Sequence, residues 1–320
     1  LHFSLIENTL KVLATNEEVS MLSSFDVEGE ENGEILIPAK TLNDRIKTLP
    51  KGGSITIDAD LDTFEIVIKY NKGKFVIKGL GTDEYVSIPY LFEPDSPDIA
   101  DINKPVENTE NKAVLPAGLF SKIGFRTLFA VSTEEYRPAM TGILFQFREN
   151  LLTAVSTDGY RMNRYNIKNE DGNYPKMMDV VLPSSTVEYL HRVPSEITMT
   201  LIEPTDESKF LRFDFDNTIL TSRIIREKFP PYETIIPPSF AYQTLIPISD
   251  LLETVRRVSL SSARISKAVI LNFKNNSLVV SAENEETGES AEETIQCEFM
   301  GECMPNRYCA TPSWVGMPIS

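Results

Sequence analysis

Thr157-Asp158-Gly159-Tyr160-Arg161 sets a carboxylate, a glycine and a guanidinium within one short stretch, a combination that could serve phosphate chemistry. An enzyme built on it would also need a phosphate-cradling loop, a nucleophile elbow or a metal. The 320-residue chain has no GxxxxGK[ST] loop, no GxSxG elbow and no metal-ligand spacing. His2 and His191 are isolated, without an HxxxH or HExxH context. Cys297, Cys303 and Cys309 follow one another at six-residue intervals, which match neither a CxxC zinc pair nor a disulfide framework. They read as free thiols in a reducing cytoplasm, and neither metal nor cofactor is expected. The chemistry left to this chain is that of fixed charge.

The formal net charge is −16, and a uniformly acidic surface would repel a phosphate backbone. The positive charge is concentrated, however, in four segments: 38–51, 116–132, 183–194 and 247–264. They hold Lys40, Arg45, Lys47, Lys51, Lys122, Arg126, Arg192, Arg256, Arg257 and Arg264, against Asp44, Glu188, Asp250 and Glu253. That is +6 in 61 residues, leaving −22 for the remainder. On a helix, Lys40, Lys47 and Lys51 share the face turned away from Leu42 and Ile46. One basic solvated helix face is ordinary. The same sign on every copy of a repeated element suits a surface that follows phosphates without reading bases. The residues expected to face DNA are Lys40, Lys47, Lys51, Lys122, Arg126, Arg192, Arg256 and Arg257.

Each of these segments opens with an apolar residue followed by proline: Ile37-Pro38, Leu115-Pro116, Leu182-Pro183 and Ile246-Pro247. Proline suits a first helical turn, where the amide it lacks would be unpaired. Apolar residues at helical spacing follow, such as Leu42, Ile46 and Leu49, or Leu119, Ile123 and Leu128. A second signature, Asn-x-Leu-x-apolar-x-Ala/Ser, recurs from Asn8, Asn150 and Asn276, and alternates like a half-buried strand. Further strands are predicted over 54–58, 64–70, 74–80, 142–147, 196–202, 210–215 and 218–225. Asn71-Lys-Gly73 and Asp216-Asn217 mark hairpin turns. Sheets with helices segregated on one face make an α+β fold with a threefold internal repeat.

The expected organisation is a first block over 1–92, an acidic, proline-rich linker over 93–111, a second block over 112–237 and a third over 238–320. By the spacing of the repeat, the first block lacks an opening of about 30 residues, counted against a typical domain period. The third lacks its second helix and the strands after it. Met304–Ser320 holds prolines without an apolar period, so little helix is expected there. Two damaged outer blocks imply a monomer or an ill-defined aggregate in which only the middle block is cooperatively stable. No apolar run approaches the roughly 18–20 residues that span a bilayer, and a cytoplasmic location is expected.

Several stretches resemble the bacterial sliding clamp family, the β subunit of DNA polymerase III. They are Leu128–Ser132, Arg137–Gly142, Thr153–Arg161, Phe229-Pro-Pro-Tyr232, Arg257–Ser259, Leu271–Phe273 and Leu278–Asn284. The resemblance covers roughly residues 1–303. It implies three similar domains per chain, two chains joined head to tail, and a ring around duplex DNA lined by helices. It implies a non-catalytic role within the polymerase holoenzyme, tethering the polymerase catalytic subunit, the clamp loader and repair proteins. It also implies a peptide pocket between the second and third domains, carried by motif onto Met140, Thr157, Gly159, Tyr160, Arg161, Met162, Pro230, Thr234 and Ile235. Tyr160 stands where the family commonly has His. Two other readings compete. A hydrolase or nuclease would show metal-dependent cleavage, and a β-rich scaffold or adhesion module would not bind DNA.

Overall fold

The structure is a computed structural model that describes residues 1–16, 18–50, 52–85, 112–169, 177–205, 208–240, 243–274, 276–300 and 307–310. It divides into two compact units, one from Leu1 to Pro230 and one from Pro231 onward.

In the first unit the chain opens with strands β1 (His2–Ile6), β2 (Thr9–Thr15), β3 (Val19–Asp26) and β4 (Gly33–Leu36). Helix α1 (Ala39–Ile46) and the hairpins of β5 (Ile55–Asp60), β6 (Glu65–Tyr70) and β7 (Gly73–Lys78) follow. After 111 come β8 (Lys112–Leu115), α2 (Leu119–Thr127), β9 (Gly142–Arg148), β10 (Leu151–Thr157), β11 (Met162–Lys168) and β12 (Met177–Pro183). The unit continues with α3 (Ser184–Leu190), β13 (Ile197–Thr205), β14 (Ser208–Phe215) and β15 (Thr218–Arg223). The predicted hairpin turns fall where expected: β6 turns into β7 through Asn71-Lys72, and β14 into β15 through Asp216-Asn217, with Asp216 at φ 46°.

Three antiparallel sheets build this unit, ordered β4-β1-β2-β3-β15-β14-β13-β8, β11-β10-β9-β12 and β5-β6-β7. The eight-stranded sheet is the unexpected one. Its β3–β15 pairing, from Ser23↔Thr218 to Val19↔Ser222, joins strands that the sequence assigns to different blocks. The Ser23 and Thr218 hydroxyls lie 2.8 Å apart across that seam. The period-2 alternation of β3 aims Val19 and Met21 into the core beneath β15. There they join Phe120, Ile123, Phe145, Phe147, Leu152, Leu190, Phe213 and Leu220. A smaller core of Ile35, Ile37, Leu42, Ile66, Ile68 and Ile77 lies under α1.

The second unit contains β16 (Gln243–Leu245), α4 (Ile248–Val258), β17 (Val269–Lys274), β18 (Ser277–Asn284), β19 (Glu289–Gln296), β20 (Glu298–Met300) and β21 (Arg307–Ala310). Its main sheet runs β19-β18-β17-β21, and Val255 and Val258 of α4 pack on Leu278, Val280 and Ile295. Where little helix was expected past Met304, the described residues Arg307–Ala310 form strand β21, which pairs with β17 from Val269↔Ala310 to Asn272↔Arg307. Cys297 is buried here; Cys309 lies in β21, and Cys303 falls outside the described residues.

The prolines act one position earlier than a first-turn role requires. Pro38, Pro183 and Pro247 are the capping residues of α1, α3 and α4, with extended ψ of 113–142°. The carbonyls of Pro38 and Pro247 accept the first helical bonds, from Leu42 and Leu251. Proline still fits, since its missing amide would have no helical partner at that position either. Pro116 lies further out, and α2 begins after Gly118 at φ 73°. All four helices are shorter than their predicted segments. Leu128–Ala130 is a separate 3-10 turn, and α1 stops at Ile46.

A candidate nucleic-acid interface and a candidate peptide surface

The basic residues divide into two groups once placed. Lys40 and Lys47 are exposed on α1 and at its C-cap, as are Lys122 on α2, Arg192 just past α3 and Arg256 on α4. Among the described residues, none of these five enters an ion pair. Asp44 also projects from the Lys40–Lys47 side of α1, four residues after one and three before the other, so that face is less cationic than a count of lysines suggests. Lys51 lies outside the described residues.

Arg126 and Arg257 belong to the other group, already engaged within the protein. The Arg126 guanidinium lies 4.6 Å over the Tyr165 ring, held along the protein rather than extended from it. Arg257 makes two 2.8 Å bonds to the Glu293 carboxylate, one to each oxygen, and approaches Glu253 at 3.7 Å. The bonds to Glu293 hold the Arg257 guanidinium above its usual range, and the same bonds hold Glu293 below the carboxylate range. A guanidinium already forked onto a carboxylate is a poor phosphate ligand, because binding would require breaking that pair.

Thr157, Gly159, Tyr160, Arg161 and Met162 fall on or beside the turn between β10 and β11. Thr157 ends β10 with a buried side chain; its hydroxyl donates to the Arg161 carbonyl at 2.8 Å and accepts from the Gly159 amide at 3.0 Å. One Asp158 oxygen accepts from the amides of Tyr160 (3.0 Å) and Arg161 (2.9 Å), and the other from Arg161 Nε at 2.9 Å. Burial pushes the Asp158 carboxyl upward, but these bonds and the Arg161 charge outweigh it and leave the group below its ordinary value. Gly159 takes φ 88°, which a side chain would strain. A Cβ there would lie 3.4 Å from Met140 Cε and 3.5 Å from an Arg137 Nη.

Met140 is fixed by the 3-10 turn Pro138–Thr141, whose Met140 carbonyl accepts from the Ser132 amide at 2.9 Å. Met162 begins β11 and is half-buried, like Pro230, while Tyr160 is 87% exposed. Met140 approaches Gly159, and Met162 pairs with Thr157 at the foot of the same hydrogen-bonded turn. Thr157 and Arg161 do not offer free side chains there: they build the loop, with the Arg161 guanidinium 5.8 Å over Phe129. Arg137, which the resemblance does not place in the pocket, stands beside Gly159. Thr234 and Ile235 belong to the second unit. There, Thr234 donates to the Pro231 carbonyl at 2.7 Å and Ile235 is 67% exposed.

Blocks of antiparallel sheet whose helices are opened by an apolar–proline pair, with cations displayed on each helix, define a clamp-type fold. Comparison with known proteins agrees. Residues 1–89 match the N-terminal domain, and residues 114–231 the central domain, of the DNA polymerase III beta subunit. The "Beta sliding clamp" of Synechococcus elongatus is 25% identical over 303 residues, spanning 92% of this chain and 74% of that protein. That of Synechocystis sp. is 26% identical over 314 residues, spanning 92% and 76%. The crystal structure of the DNA polymerase III subunit beta from Pseudomonas aeruginosa superposes with a TM-score of 0.78 at 22% identity, covering 98% of this chain and 80% of that one. The two family domains, matched in order over more than half of the sequence, place this chain in the DNA polymerase III beta-subunit family, the beta sliding clamps.

Proposed function

We propose that this chain works mechanically, as a processivity factor held on duplex DNA through its phosphates by Lys40, Lys47, Lys122, Arg192 and Arg256. Polymerase and repair proteins would be recruited through short peptides on the first unit's surface at Met140, Met162 and Pro230. The observation that carries the reading is the segregation of unpaired cations onto helix surfaces of a chain whose net charge is −16. Every described α-helix has at least one such cation on it or just past its end, where it can meet a phosphate without reading a base.

The test is duplex binding across a salt series on two unrelated sequences. Lys40→Glu with Lys47→Glu should weaken both alike and flatten the salt slope by about one unit for each phosphate no longer neutralised. Weakening confined to one sequence would overturn the reading. Arg257→Ala is the contrasting variant, and its duplex affinity should stay close to that of the parent, because Glu293 already holds the guanidinium.

A further inference from the structure

The outward side of α2 carries a residue that phosphate binding leaves unused. Leu119, Phe120, Ile123, Gly124 and Thr127 are buried, so the 3.6-residue period places Ser121, Lys122 and Phe125 on the opposite side. Phe125 is 63% exposed, and α2 has no acidic residue. The ring takes no part in the core, where Phe120 packs against Phe145 and Phe213 at 5.9 and 5.7 Å between centroids. The helix beneath it is fixed against α3. His191 Nδ1 lies 3.0 Å from the Ser121 carbonyl oxygen, and a Cβ on Gly124 would stand 2.7 Å from the same nitrogen. Thus a phenyl face is held in solvent on a rigid support, with Lys122 three residues before it and Arg126 next to it. Arg192 is exposed at the end of the neighbouring α3, where Glu188 is the one acidic residue.

In a duplex the bases are stacked inside, and a phenyl ring gains little from sugar and phosphate. An unpaired base offers a free π-face, and cations around an aromatic platform are what a single strand requires. We propose that Phe125 stacks on unpaired bases of single-stranded DNA whose phosphates are held by Lys122 and Arg192. The proposal rests on the clamp reading and deepens it, since a strand junction presents both duplex and unpaired DNA to one helix surface.

The experiment uses the full chain, a single-stranded oligonucleotide carrying 2-aminopurine, and a blunt duplex of equal length. The parent should quench 2-aminopurine on binding. Phe125→Ala should weaken single-strand binding about tenfold and abolish the quench, while Phe125→Trp retains both. Duplex affinity of Phe125→Ala should stay within about twofold, and its melting temperature should hold, because an exposed ring contributes little to the core. Lys122→Ala should weaken both ligands. Absence of quenching with the parent, unchanged single-strand binding by Phe125→Ala, or equal weakening on both DNAs would each overturn the proposal. None of these outcomes touches the clamp reading, whose own failure is duplex binding insensitive to Lys40→Glu with Lys47→Glu.

Discussion

Asp158 illustrates how much of the peptide surface depends on one carboxylate. Two amides and a guanidinium converge on it, and together with the Thr157 hydroxyl it defines the loop that presents Tyr160 and Met162. Asp158→Asn keeps an acceptor for the amides and loses the charge-assisted bond to Arg161. It should cost about 1–2 kcal/mol in urea denaturation at neutral pH. The pH dependence has a definite sign. The folded carboxyl is held below the unfolded value of about 3.9, so its stabilisation is complete above that value and is lost as pH falls through the lower, folded one. The asparagine variant should therefore show a flatter acid limb than the parent, and parallel limbs would contradict the assignment. Met162→Ala should reduce the affinity of a labelled partner peptide by roughly 1–2 kcal/mol, as for other buried anchors. Equal binding by that variant would remove Met162 from the surface.

At the scale of elements, α2 and α3 meet at a glycine. Gly124→Ala would place a methyl carbon 2.7 Å from His191 Nδ1 and 3.0 Å from His191 Cβ, so the imidazole must move and surrender its bond to Ser121. A cost of about 1–3 kcal/mol is expected from overpacking. Adding His191→Ala should recover part of it, and a strictly additive double mutant would show that the two residues are not coupled. This packing was not legible in the sequence, where His191 stood as a lone histidine. The elements themselves were largely legible. Predicted strands 64–70 and 210–215 became Glu65–Tyr70 and Ser208–Phe215, because alternation and turn residues act within a few positions. The same holds for α4, whose apolar stripe of Leu251, Val255 and Val258 is local. The Arg126–Tyr165 and Arg257–Glu293 pairs join residues more than thirty positions apart and leave no periodic trace. Charge counting could therefore find where the cations cluster but not which of them are already engaged.

For the whole first unit, the β3–β15 pairing argues physically against an independent middle block. Val19 and Met21 come from the first block and pack in the core of the second, and a one-residue slip at the seam would turn both outward. The amides of β2, β3 and β15 should accordingly exchange hydrogen with one common opening free energy, read by native-state hydrogen exchange. Distinct values on the two sides of the seam would instead favour separate folding. The expectation of a cooperatively stable middle block alone came from treating each repeat as closed. Repetition is visible in sequence, whereas pairing between repeats is specified only by which strand edge finds which.

That seam also bears on inheritance. A gene segment copied at the boundaries of the repeat would not carry a finished piece of protein, because the copy would have one raw strand edge and a core lacking Val19. The period read in the sequence is thus longer lived as a record of duplication than as a unit of folding. Exchange of a block between related chains should succeed only when the strand on the far side of the seam travels with it.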